Sequence, residues 1–308
     1  LDLGADAKTV QDTFFQRARR NNPVHRLPKL ALARLALEKR DFKLAAEQFE
    51  EALKSHPDDV DLLFGLSEAF AGGDPERTAQ LLEQVGRLNP RYLPWLLKRA
   101  ERLIKSELYA GAERALQEAL TVNPRHPVAL AFRAAIAHLQ HQPEREQELR
   151  AEALAGWKLN PEVDYVIGRE LSQKYRFAEG AIYQRQALAA DPEYLAARKQ
   201  LASDLLRLGQ EEEGWRVADA ASLADPYDVN LYNLVTLRDQ LAKFATLEAD
   251  GFVVRMDAQE AAIYGPRVLE LLSEAKATLC PKYGLDLQEP VLVEIFPHPA
   301  DFAVRTFG

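Results

Sequence analysis

A mainly α fold, a right-handed solenoid of antiparallel helix pairs followed by a small incomplete α+β tail, is what this sequence predicts, and three observations predict it. Polar–Pro pairs recur along the chain at a spacing near 34 residues. Between them apolar residues return every three or four positions, the spacing of one helical face. After Phe244 that periodicity gives way to short β-branched and aromatic runs. The division expected is a helical array over residues 1–243 and a partial α+β segment over residues 244–308.

The pairs are His56-Pro57, Asn89-Pro90, Asn123-Pro124, Asn160-Pro161, Asp191-Pro192 and Asp225-Pro226, with successive spacings of 33, 34, 37, 31 and 34. Proline lacks the amide donor that a helix interior needs and pushes its predecessor out of the helical region, so each pair closes one helix and opens a turn. In the unit that ends at Pro57, Leu30, Leu32, Leu35 and Leu37 stripe a first helix; Phe42, Ala45, Phe49, Ala52 and Leu53 stripe a second. The link Lys39-Arg40-Asp41 is short enough to permit only an antiparallel return. Small residues keep matched slots in the second helices, Ala45, Ala112 and Gly180 early and Ala52, Ala119, Ala187 and Ala221 later, where two helices approach closely. An aromatic opens several second helices, as Phe42, Tyr109 and Phe177. The unit with Gln142-Pro143 is expected to carry extra residues between its helices.

Small apolar slots, an aromatic at the start of the second helix and a terminal proline on a 34-residue frame resemble the tetratricopeptide repeat, from about Pro28 to Thr236. The resemblance implies a helical scaffold with its ligand on the concave face lined by the first helices. A helix over about Ala5–Arg20 is expected to cap the array, and one over about Asn230–Ala242 to end it.

In the tail, Asp250-Gly251 signals a turn, Phe252–Met256 and Val291–Phe296 read as strands, and a helix is predicted over about Gln259–Leu279, with a short helix last. The run VLVEIFPHPADFAVRTFG, preceded by FVVRMD and a long helix, resembles the opening of the peptidase MA-like metallopeptidases, a gluzincin-type group. That resemblance implies a zinc peptidase whose HExxH helix supplies two histidines and a glutamate. The six histidines, His25, His56, His126, His138, His141 and His298, contain no such motif. The chain as given is thus expected to have no catalytic residue and no cofactor, with zinc and HExxH beyond residue 308 in a longer parent protein. His138 and His141 read as an exposed helix end and His298 as a turn residue.

Composition narrows the partners. With 39 basic and 47 acidic residues the formal net charge is -8, which opposes the attraction that supplies most non-specific nucleic-acid affinity. No nucleic-acid partner is expected, and Arg17, Arg19 and Arg20 read as a solvated helix face. A lone cysteine, Cys280, excludes an internal disulfide. No stretch is apolar enough for a bilayer, so no membrane partner is expected. Because the chain opens on Leu1, it is expected to be a fragment or processed form; the compartment stays open between bacterial cytoplasm and periplasm.

Slot counting on the first helices gives Arg34, Glu68, Glu101, Tyr165, Arg169, Lys199 and Arg207 as candidate concave-face peptide contacts. The function expected is a protein- or peptide-binding scaffold, the alternative the substrate-recognition part of a zinc metallopeptidase. Strand 291–296, as an unpaired edge, is expected either to pack the tail on the last repeat helix or to pair with a second copy as a homodimer.

Overall fold

The computed structural model of the chain describes residues 9–22, 25–287 and 290–307. A π-helical turn, Val10–Phe15, runs into α1 (Gln16–Asn21). The array follows as α2 (Arg26–Glu38), α3 (Phe42–Leu53), α4 (Val60–Phe70), α5 (Pro75–Leu88), α6 (Leu93–Lys105), α7 (Tyr109–Val122) and α8 (Pro127–Leu139). It continues through α9 (Pro143–Leu154), α10 (Pro161–Ser172), α11 (Phe177–Ala190), α12 (Leu195–Arg207), α13 (Glu211–Ala224) and α14 (Val229–Leu241). Even-numbered helices are the first of each pair. The molecule comprises two compact units, Leu1–Ala197 and Arg198–Gly308, divided within α12 rather than where the strands begin. Residues 5–8 of the expected capping helix lie outside the described residues.

One backbone turn recurs before every first helix. The amide three residues after the turn residue donates back to its carbonyl: His25 to Asn22 at 3.1 Å, Asp59 to His56 at 3.2 Å, Tyr92 to Asn89 at 3.1 Å, His126 to Asn123 at 3.1 Å, Asn160 to Trp157 at 3.2 Å, Tyr194 to Asp191 at 3.1 Å and Asp228 to Asp225 at 3.2 Å. The polar turn residue also accepts locally. Asn89 takes the Arg91 amide at 3.1 Å, Asn123 that of Arg125 at 3.2 Å and Asp191 that of Glu193 at 3.0 Å, each an Asx turn. In most of these turns the donor residue then caps the helix it begins, Tyr92 being an exception. Asp59 accepts from the Leu62 amide, Asp228 from Leu231 and His126, through Nδ1, from Ala129. Caps of this kind contribute about 1 kcal/mol each.

This register corrects two readings. Asn160-Pro161 stands in the capping position, and Trp157 fills the turn position three residues earlier, so the spacings of 37 and 31 arise with the 34-residue frame unbroken. The expected extra residues between α8 and α9 are absent: residues 140–142 join them, a link as long as residues 39–41 between α2 and α3. The same turn at Asn22, in the pair Asn22-Pro23, starts the frame before the expected Pro28.

The reversal from first to second helix is equally regular. Arg40, Glu107, His141, Tyr175 and Gly209 all sit in the left-handed region, with φ from 58° to 72°. The residue after each donates its amide to a carbonyl five residues back, for example Asp41 to Ala36 at 2.8 Å, Leu108 to Leu103 at 2.9 Å and Gln142 to Ala137 at 2.9 Å. These are Schellman closures, which satisfy helix-end carbonyls that would otherwise lack donors. Only Gly209 carries the residue type that the conformation favours.

Packing fills the seam between the hairpins. Ala45, Phe49 and Ala52 of α3 meet Leu30 and Ala33 of α2 and Leu62 and Leu66 of α4, with Phe49 fully buried. A Cβ on Gly65 would lie 2.1 Å from the Phe49 ring, so the aromatic fits because residue 65 has no side chain. Further along, Leu96, Ile104, Leu116, Leu130, Leu149 and Ile167 share one core across α6 to α10. Each such side chain is worth about 1.5–3 kcal/mol relative to exposure. The matched small slots Ala112, Ala119 and Ala187 are all fully buried.

In the second unit α14, a first helix with no second helix after it, packs on α13, and strands follow. β1 (Phe244–Ala249) pairs antiparallel with β2 (Phe252–Asp257), and β2 pairs parallel with β3 (Val291–Ile295), in the order β1-β2-β3. β1 was not among the predicted strands; its signal is Asp250-Gly251, whose φ values of 51° and 83° make the tight turn that twisted hairpins favour. Between β2 and β3 runs α15 (Ala258–Tyr283), longer than expected and ended by Gly284 at φ 63°. The closing helix α16 (Pro299–Phe307) packs on α14, and its Arg305 pairs with Glu211 of α13 at 2.6 Å and Glu294 of β3 at 2.7 Å. His298 lends its carbonyl to the start of α16, accepting from the Asp301 amide at 3.1 Å.

Replacing exposed His141 by glycine removes the left-handed strain, about 1–2 kcal/mol, against a smaller entropic loss. The expected outcome for His141→Gly is a gain of about 0.5–1 kcal/mol in urea unfolding, and for His141→Val a loss.

Candidate binding face on the first helices

The first helices present their long side chains in a fixed register. Arg34, Glu68, Glu101 and Arg169 each lie nine residues after the capping residue of their helix, His25, Asp59, Tyr92 and Asn160; Tyr165 lies five after. Lys199 and Arg207 stand five and thirteen residues after Tyr194, the matching position. Offsets of four share one helix side. Within Leu1–Ala197, Arg34, Glu68, Glu101, Tyr165 and Arg169 therefore take matched helix positions by local geometry.

Four of the seven converge. Glu68 of α4 meets Lys98 of α6 at 3.3 Å; Lys98 meets Glu101 at 3.1 Å; Glu101 meets Arg169 of α10 at 2.9 Å; and Arg169 meets its neighbour Glu170 at 2.9 Å. The Arg169 guanidinium also lies 5.7 Å from the Tyr165 ring and 6.0 Å from that of Phe132. Tyr165 in turn meets Tyr194 edge to face, with centroids 5.7 Å apart. The Glu101–Arg169 pair joins residues 68 apart in sequence, over the intervening helix α8. It can do so because α8 offers Ala135, fully buried, in the slot that a long side chain fills on its neighbours.

The band has three carboxylates for two cations, and its electrostatics follow. Burial would lower Arg169, but Glu170 and Glu101 outweigh it and hold the guanidinium protonated. The same balance raises Lys98, where Glu101 and Glu68 offset burial. Glu170 is pushed up by burial, only partly offset by Arg169, and its Oε2 has no hydrogen-bond partner although the side chain is 1% exposed. A buried carboxylate oxygen with no donor is an unfavourable state that a new donor would relieve.

Three candidates stand elsewhere. Arg34 lies 3.6 Å from Asp61, which also takes the Tyr92 hydroxyl at 2.6 Å and pairs with Arg26. Lys199, in the second unit, is held by Asp228 at 2.6 Å and Asp225 at 3.4 Å. Arg207 donates to the Thr306 carbonyl. Lys98, Glu170 and Phe132 were missed by slot counting, although Lys98 sits one helical turn before Glu101 and Glu170 follows Arg169 directly.

His138 corrects the reading as an exposed helix end. Its Nδ1 lies 2.8 Å from Glu146 of α9, and its Nε2 faces Glu179 of α11. Burial would raise Glu179, but the hydrogen bonds from His138 and Arg176 hold it below the ordinary range. The two carboxylates lie on opposite edges of the imidazole and cannot share one ion with it. Among the described residues no three His, Cys, Asp or Glu side chains form a group that could hold a metal. No helix among the described residues is long and apolar enough to cross a membrane.

Residues 30–90 match the tetratricopeptide repeat family. No curated protein matches the sequence significantly. Among solved structures, the chain is similar to a tetratricopeptide repeat protein from Parabacteroides merdae, with a TM-score of 0.51 and 13% identity over 74% of this chain and 91% of that one. It is similar to the Cut9-Hcn1 hetero-tetramer of the APC/C, with a TM-score of 0.50 and 13% identity over 75% of this chain and 46% of that one. A thermophilic TPR protein in Thermus thermophilus is 23% identical over 59% of this chain and 100% of that one, with a TM-score of 0.47. At such identities the likeness concerns the fold, and the fold is that of a tetratricopeptide-type array of helix hairpins followed by a small three-stranded tail.

Proposed function

We propose that the chain is a tetratricopeptide repeat protein that works as a non-catalytic scaffold, gripping an extended peptide or a partner protein on the concave face of its first helices. The observation that carries this reading is the band from Glu68 to Glu170, where charged and aromatic side chains from four successive first helices adjoin. Repeat arrays bind through such extended faces, and aromatic and arginine anchors dominate interface energies. The net charge of -8 favours a protein over a nucleic acid as partner. The Cut9-Hcn1 complex, by its name, joins an array of similar fold to a second protein.

A second reading has its own support: the order hairpin, long helix, parallel strand, short helix in residues 244–308 agrees with the peptidase MA-like resemblance. On it, the array positions substrate for a zinc peptidase whose HExxH helix lies beyond residue 308. A third role rests on β3, an edge strand of the sheet, which would join a second copy edge to edge.

Each reading has a measurement. Partner capture from the source cell, quantified for Tyr165→Ala and Glu68→Lys, is expected to fall about tenfold, equivalent to about 1.4 kcal/mol, while Arg145→Glu on α9 leaves it unchanged. The peptidase reading expects an HExxH codon run downstream of Gly308 in the reading frame; an uninterrupted frame without it ends that idea. Edge pairing expects concentration-dependent dimers in analytical ultracentrifugation that Leu292→Lys abolishes.

A further inference from the structure

A cleft of about 440 Å³ opens between α5 and α6, lined by Ala79, Leu82 and Glu83 from one helix and Trp95, Arg99, Arg102, Leu103 and Ser106 from the other. Such a volume is in the range of built ligand sites. One wall is the Trp95 ring, which packs on Gly86 so closely that a Cβ there would lie 2.4 Å from Cζ2.

The lining has a clear chemical sense. Ala79, Leu82, Trp95 and Leu103 make an apolar floor and one aromatic wall. Arg99 lies 5.3 Å from the Trp95 ring centre and is anchored by two hydrogen bonds to Glu118, at 3.0 and 2.8 Å. Arg102 is different: its guanidinium is exposed and makes no ion pair or hydrogen bond among the described residues. Glu83 is turned toward Arg87, 3.7 Å away. The cleft thus joins an apolar slot to an uncommitted planar cation, which suits a bidentate carboxylate. Residues 95, 99, 102 and 106 recur at three and four, on the side of α6 turned away from Glu101.

We propose that this cleft is a second docking site, distinct from the first-helix face, that takes an aromatic side chain of a partner peptide with an Asp or Glu beside it. The ring stacks on Trp95 over Leu82 and Leu103, and the neighbouring carboxylate is received by Arg102. Stacking alone would hold any apolar residue; the free guanidinium selects those carried next to an acid.

The test is selection of a library of random short peptides on the full chain, with recovered peptides remeasured by fluorescence anisotropy on variants. Ala79→Trp fills the cleft and Arg102→Glu inverts its charge; both positions are exposed, and circular dichroism verifies that the fold is kept. The expected result is enrichment of peptides with an aromatic beside Asp or Glu, bound about tenfold more weakly by either variant and unaffected by Tyr165→Ala. Arg102→Glu is expected to enrich aromatic-Lys or aromatic-Arg pairs instead. No enrichment, enrichment without the acid, or undiminished binding to Ala79→Trp overturns the proposal. Peptides lost only with Tyr165→Ala overturn it too, and would support the first-helix face instead.

Discussion

The constraint on which the rest of the structure depends is the need of every helix end for backbone hydrogen-bond partners. A helix leaves amides at its start and carbonyls at its finish without internal partners. With this many helices in a short chain, an economical closure has to be repeated. Here a three-residue turn, in most cases with a capping side chain, serves the start of each first helix, and a left-handed residue with a five-back hydrogen bond serves most of the reversals. Since both closures fix the chain direction locally, each hairpin presents its small slots, Ala45, Ala112 and their equivalents, at matched positions of its second helix.

Surface chemistry is laid over this frame and exploits its departures from uniformity. On the first-helix ridge most positions hold a long side chain, and Ala135 does not. That one gap lets Glu101 and Arg169 meet across a whole helix and leaves Glu170 behind them short of a donor. On the other side of α6 the Trp95 ring packs on Gly86, a large ring opposite an absent side chain, beside the cleft between α5 and α6.

The tail obeys different local rules but is secured in a comparable way. Arg305, 9% exposed, is raised despite burial because Glu294 and Glu211 face it, and it ties β3 and α16 to the last hairpin. The Phe244, Phe296 and Phe302 rings pack in series beside it. A small sheet whose buried side chains among the described residues are Phe252, Val254 and Met256, packed with Ala261 of α15, gains much from such an anchor.

The sequence by itself determined the helix hairpins, their period and the small slots, because each is enforced by residues within a few positions of one another. Proline stops, capping oxygens and the three-and-four spacing are local physics. It misplaced Asn160-Pro161 by three residues because the same dipeptide suits a turn and a cap, and only the hydrogen-bonded partner of Asn160, Trp157, separates the two. It missed β1 because FATLEA is weakly patterned and is recruited as a strand by pairing with β2. Tertiary structure alone decided which charges meet, that His138 is shared by Glu146 and Glu179, and that a cleft stands beside Trp95: these depend on the distance between helices, which no single segment encodes and which the stacking of whole hairpins sets.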